Sequence, residues 1–176
     1  MTPEQKKAME EVPFPIVFSC IDLIMTFNGN IVFIRKSYKD NYLRLPGGMV
    51  DTTDLTIRDS VRREASEELN ANPMGMEFNE NFRVMSFITQ DSGRYNPETS
   101  KHRLRTSLFH VKYSCSDPNL ACRADKGLKA GDDASAIEIV PIKNLFDVDW
   151  ISKNVMPGHI PLLYYWLGQL DGDRYF

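Results

Sequence analysis

Glu64, Glu67 and Glu68 stand in the run Arg63-Glu64-Ala65-Ser66-Glu67-Glu68. At 3.6 residues per turn these three positions share one narrow arc of a helix. Like charges stacked that way repel by roughly 0.2–0.5 kcal/mol per pair. The arc is therefore either a solvated acidic face or the seat of a cation, and hard divalent ions are the cations that take oxygen ligands. Upstream lies Leu45-Pro46-Gly47-Gly48-Met49-Val50-Asp51, where two glycines permit a sharp turn and a close backbone approach. Four arginines are candidates for holding an anion. Arg35 and Arg44 fall near strand ends beside the glycine pair, where they could equally be ordinary surface residues. Arg103 and Arg105 alternate on an expected strand and so project from one face, unless that face is a solvated edge. In Gly131-Asp132-Asp133-Ala134, an aspartate either caps a turn or supplies a base. His102, His110 and His159 are read as structural or surface residues, and Tyr164, Tyr165 and Trp166 as helix packing.

The elements that must position these groups follow from periodicity. Residues 3 to 10 read as a short polar helix ended by Pro13 and Pro15. Ile16 to Phe27 and Ile31 to Lys36, joined by Asn28-Gly29-Asn30, read as a β-hairpin, because Asn-Gly supplies the positive φ of a tight turn. Leu43-Arg44-Leu45 is expected as a brief strand before the glycines. Ile57, Val61, Ala65 and Leu69 form an i+4 ladder that predicts a helix over 56–69, with Asn70 as a left-handed C-cap. Strands are expected near Phe82 to Thr89, Leu104 to Tyr113 and Ile137 to Pro141, and an apolar helix over Pro161 to Leu170 covering one face of the sheet. This order predicts an α/β (α+β) chain, a mixed sheet packed between helices.

The 176 residues, with no repeat or linker, predict one domain over 1–176. Hydrophobic residues at 42% and charged residues at 26% exclude a disordered tail. The 21 Lys+Arg against 24 Asp+Glu give a net charge of -3, so no chain-wide positive field exists and nucleic acid is not an expected partner. No apolar stretch is long enough to span a bilayer, and the first residues lack the order of a signal peptide, so a cytoplasmic location is expected. Cys20, Cys115 and Cys122 lack metal or disulfide spacing and read as free thiols. A homodimer is compatible with the sequence but not required by it.

The strand, glycine pair, loop and acidic helix together resemble the box of the Nudix hydrolases. That box runs Gly, five residues, Glu, seven residues, Arg-Glu, an aliphatic, any residue, Glu-Glu, any residue, Gly and an aliphatic. Gly48, Arg63, Glu64, Glu67 and Glu68 match it. Asp54 stands where the pattern has Glu, the interval before Arg63 is one residue longer, and Ala65, Asn70 and Ala71 replace an aliphatic, a Gly and an aliphatic. The extra residue falls in the Asp51 to Leu55 loop, so the part played by Asp54 stays open. The resemblance implies an α/β/α sandwich. It implies that Glu64, Glu67 and Glu68 hold Mg²⁺ or Mn²⁺ with the Gly48 carbonyl, that Arg63 orients a carboxylate, and that Glu64, in competition with the Asp132-Asp133 loop, is the base.

Tyr95-Asn96-Pro97, His102-Arg103-Leu104-Arg105-Thr106 and Gly131-Asp132-Asp133-Ala134 are similar to segments of ADP-ribose pyrophosphatase-like Nudix domains. They imply a small nucleoside diphosphate substrate, ADP-ribose cleaved to AMP and ribose 5-phosphate, with Arg103 and Arg105 as the grip and Arg35 and Arg44 as the further candidates beside the box. Ser19-Cys20-Ile21-Asp22-Leu23-Ile24 also resembles GDP-mannose mannosyl hydrolases, a branch without the complete carboxylate set. The sequence is compatible as well with an NADH pyrophosphatase, with an enzyme acting on NAD-capped or capped RNA ends, and with a non-catalytic Nudix-like binding module.

Overall fold

The computed structural model describes residues 11, 13, 17–36, 40–89, 103–114 and 127–170. The helix expected over residues 3 to 10, the Tyr95-Asn96-Pro97 segment, His102, Cys115 and Cys122 lie outside them. Strands β1 (Val17–Phe27) and β2 (Asn30–Lys36) form the expected hairpin. Asn28 and Gly29 both take positive φ, 48° and 71°, which matches the turn to the strand twist. Beyond the hairpin β1 pairs antiparallel with β3 (Gly47–Met49), placing Ile21 opposite Gly48. On its other side β1 runs parallel to β6 (Arg103–Tyr113) from Val17↔Arg103 to Thr26↔Lys112. Strands β4 (Met76–Phe78) and β5 (Met85–Thr89) are antiparallel to β6, and β7 (Ala134–Pro141) is antiparallel to β2. Among the described residues the result is a mixed seven-stranded sheet.

Helix α1 (Ile57–Leu69) starts at Thr56, which forms a capping box with Asp59, and ends at Asn70 in the left-handed conformation. Val61, Ala65 and Leu69 are buried against one sheet face with Ile21, Leu23, Val32, Ile34, Phe109 and Val111. Ile57, the first member of the ladder, is instead 40% exposed, because the helix enters from the rim. On the other face Ile24, Ile31, Phe33 and Leu108 pack with Ile151 of α2 (Val148–Asn154) and with Leu162, Leu163, Trp166 and Leu167 of α3 (Ile160–Leu170). Strand alternation thus feeds two cores, and the chain is an α/β/α sandwich.

Three elements differ from expectation. Leu43 and Arg44 make only isolated bridges, to Val155 and Ile34, and the strand here is the glycine segment itself. Gly47, at φ 150°, lies so close to β1 that a Cβ would strike the Ile21 carbonyl oxygen. The strand expected near Phe82 to Thr89 begins only at Met85, with Phe82 buried ahead of it, and β4 is an additional short strand. Helix α2 has only seven residues, too few to show a helical repeat, and depends on its Asp147 N-cap and on Ile151 reaching the core.

Candidate active site

The acidic helix meets the glycine strand directly. Glu64 and Glu68, four residues apart, turn inward beside the ladder and are buried, whereas the Glu67 side chain is 46% exposed at the rim. Gly48 lies flush against the Glu64 carboxylate, where any Cβ would collide with Oε1. Glu68 Oε2 accepts the Gly47 N–H at 2.8 Å. The segment leading into this strand is also held, since Leu45 N–H donates to His159 Nδ1 at 2.8 Å.

Arg63 organises the outer half of the site. Its Nε donates to Asp54 Oδ1 at 3.1 Å and its Nη2 to Asp54 Oδ2 at 3.0 Å and to the Met49 carbonyl at 2.8 Å. Nη1 reaches Glu64 at 2.9 Å and Glu67 at 3.0 Å. The part Asp54 plays is therefore to anchor Arg63, and the guanidinium holds the Asp54 carboxyl at about 2. Burial pushes the Glu64 carboxyl up against the pull of Arg63.

The inner half contains a residue that is not among the candidates legible in the sequence. Lys36 Nζ lies 2.7 Å from Glu68 Oε1 and 2.6 Å from Asp133 Oδ1. Burial still dominates Glu68, raising its carboxyl to about 7 while Lys36 and the Gly47 N–H pull it down. The signal for Lys36 is its strand position: with Val32 and Ile34 it alternates onto the α1 face. Gly131 N–H donates to the Glu68 carbonyl at 3.1 Å, so the Asp132-Asp133 loop is docked on the end of α1, with Asp132 at φ 47°.

The four candidate arginines separate into two pairs. Arg44 is buried and donates to both oxygens of Asp40, at 2.8 and 3.0 Å, and to the Tyr42 carbonyl. Arg35 is paired with Glu138 at 3.0 Å and with the Asn41 carbonyl. Neither makes a hydrogen bond to the helix carboxylates. Arg103 and Arg105 lie on the same face of β6 as Phe109 and Val111, the face that α1 covers, and Arg105 is exposed. Arg105 pairs in register with Ser19 of β1, whose carbonyl accepts Val50 N–H from the far side, so the arginines run alongside the glycine strand. His110 is buried between Thr26 and Asn79, each 2.9 Å away, and burial holds it neutral with a pKa of about 4.

Among the described residues no three His, Cys, Asp or Glu side chains are already gathered to hold a metal ion. The donor chemistry nevertheless suits a hard divalent cation. Glu64, Glu67 and Glu68 offer carboxylate oxygens from two turns of one helix, and Gly48 places no side chain of its own against the Glu64 carboxylate.

A glycine strand is thus laid on an Arg-Glu-x-x-Glu-Glu helix within a mixed sheet packed between helices. The NUDIX domain family profile matches residues 14–158, and the chain belongs to the Nudix family. Among solved structures it is similar to a C. elegans Ap4A hydrolase in a binary complex, at 14% identity and a TM-score of 0.62, covering 88% of this chain and 98% of that one. It is also similar to a bifunctional NMN adenylyltransferase/ADP ribose pyrophosphatase from Francisella tularensis complexed with AMP and Mn ion, at 17% identity and a TM-score of 0.58, covering 94% of this chain and 46% of that one. A UDP-X diphosphatase matches at 11% identity and a TM-score of 0.60, covering 99% of this chain and 74% of that one. No curated protein matches. No helix among the described residues is long and apolar enough to cross a membrane.

Proposed function

We propose that this Nudix pyrophosphohydrolase cleaves a nucleoside diphosphate derivative between its phosphates, with ADP-ribose giving AMP and ribose 5-phosphate. The observation that carries the reading is the placement of Glu64 against Gly48 and of Glu68 on the Gly47 N–H, with Arg63 fixed by Asp54 and holding Glu64 and Glu67, beside a sheet face that presents Arg103 and Arg105. The similarity to the Francisella ADP-ribose pyrophosphatase chain supports the same substrate class.

Glu64, Glu67, Glu68 and the Gly48 carbonyl are the groups that would hold Mg²⁺, or Mn²⁺, which supplies neutralisation of the diphosphate charge and a lowered pKa for water. The remaining work falls to side chains. Glu64, partly desolvated, takes the proton as water adds to one phosphorus and the bridging P–O bond breaks. Arg63 keeps Glu64 and Glu67 in place, and Asp54 keeps Arg63 in place. Arg103 and Arg105 hold the anionic substrate from the sheet side.

Product analysis tests this with ADP-ribose, NADH, GDP-mannose, capped RNA ends and diadenosine polyphosphates, each with Mg²⁺, with Mn²⁺ and with chelator. AMP and ribose 5-phosphate from ADP-ribose, abolished by chelator, is the expected result. Free mannose from GDP-mannose with ADP-ribose untouched overturns it.

A further inference from the structure

We propose that Lys36 is the resident cation of this centre: its ammonium clamps Glu68 to Asp133 when no divalent ion is bound, and competes with that ion for Glu68. The inference rests on the reading of Glu64, Glu67 and Glu68 as the metal-holding carboxylates.

Strand parity dictates the placement. Val32, Ile34 and Lys36 alternate onto one face of β2, and the first two pack beneath α1. An aliphatic side chain at 36 would simply extend that core. A lysine there is 8% exposed at its side chain and must find anionic partners. It finds two, on different elements, Glu68 in the last turn of α1 and Asp133 in the loop before β7.

The backbone is shaped to bring the second partner in. Arg35 pairs with Ala136 but Lys36 pairs with Ala134, so Ser135 is an extra residue on β7, and its hydroxyl donates to the Arg35 carbonyl at 3.1 Å. That bulge brings Asp133 one residue nearer to Lys36 along the ladder. The loop is fastened to α1 independently, by Lys129 N–H to the Leu69 carbonyl at 2.9 Å and Gly131 N–H to the Glu68 carbonyl at 3.1 Å. Gly131 approaches the Glu67 carbonyl so closely that a Cβ would collide.

Charge then decides the behaviour. Asp54, Glu64, Glu67, Glu68 and Asp133 are five carboxyl groups facing two cations, Arg63 and Lys36, so acidic groups outnumber the cations among them. A divalent ion is therefore still attracted, but at Glu68 it meets an ammonium already in contact. Lysine is a point charge on a flexible stem with three donors, so Lys36 can keep Asp133 while it yields Glu68.

The test follows the free Mn²⁺ signal by electron paramagnetic resonance as the ion is titrated into wild type, Lys36→Met, Lys36→Gln and Lys36→Arg, with thermal unfolding in chelator and in saturating Mn²⁺. Wild type and Lys36→Arg are expected to bind alike. The two neutral variants are expected to bind about threefold tighter or more, because a like charge beside the ion is gone. They should also unfold below wild type in chelator and recover most of the difference with Mn²⁺. Unchanged or weaker Mn²⁺ affinity in the neutral variant that folds, with wild type binding, overturns the role of Lys36 and leaves the metal reading standing. Failure of wild type to bind Mn²⁺ saturably overturns both.

Discussion

Asp54 and Arg63 are joined at two points, Nε to Oδ1 at 3.1 Å and Nη2 to Oδ2 at 3.0 Å, although Asp is one methylene shorter than the Glu of the family pattern. Replacing Asp54 by Asn is expected to loosen Arg63 and with it Glu64 and Glu67, lowering kcat by about 10- to 100-fold. The same pair sets an acid limit. The Asp54 carboxyl sits at about 2, below its ordinary 3.8, so its stabilisation is complete above the ordinary value and is lost as pH falls through about 2. Melting temperature should therefore fall more steeply between those values in wild type than in Asp54→Asn.

Glu68 has the opposite sign. Burial raises its carboxyl from 4.5 to about 7, so between those values the folded chain binds more protons than the unfolded one. Metal-free stability should decline as pH rises across that window. Thermal unfolding in chelator should show this decline in wild type and a flatter profile in Glu68→Gln.

Glu67→Gln is expected to reduce kcat by at least about 100-fold while the fold is kept, as for loss of a positioned electrostatic group. Glu64→Gln should cost more than Asp133→Asn, because Glu64 lies against Gly48 while Asp133 is turned to Lys36. Steady-state kinetics that reverse this order would move the base to the loop.

The two adjacent glycines should fail differently. Alanine at 47 meets the Ile21 backbone at an unfavourable φ and is expected to lower the melting temperature sharply. Alanine at 48 meets the Glu64 carboxylate first, a side chain rather than backbone, so Gly48→Ala should keep most of its stability and lose activity. Thermal unfolding and turnover, measured on both variants, separate the effects.

Arg105→Ala should raise KM for ADP-ribose more than it lowers kcat if the grip is equal in ground and transition states. An unchanged KM would return this exposed arginine to the role of a solvated surface charge.

Local features are legible along the chain: the hairpin turn at Asn28-Gly29, the α1 helix with its Asn70 cap, and the arc of carboxylates each depend on residue type and spacing within a few turns. The glycine strand is not, since Gly47–Met49 has no strand propensity and extends only because β1 offers it a close edge. Nor does spacing separate the arginines. Arg35 and Arg44 lie near the site in sequence, yet Glu138 and Asp40 engage them, and such pairings are settled by packing. Lys36 and Asp133, 97 positions apart, meet because a β7 bulge and two loop hydrogen bonds bring them to the same end of α1. Pairing across that separation is a property of the assembled sheet, and periodicity along the chain carries no trace of it.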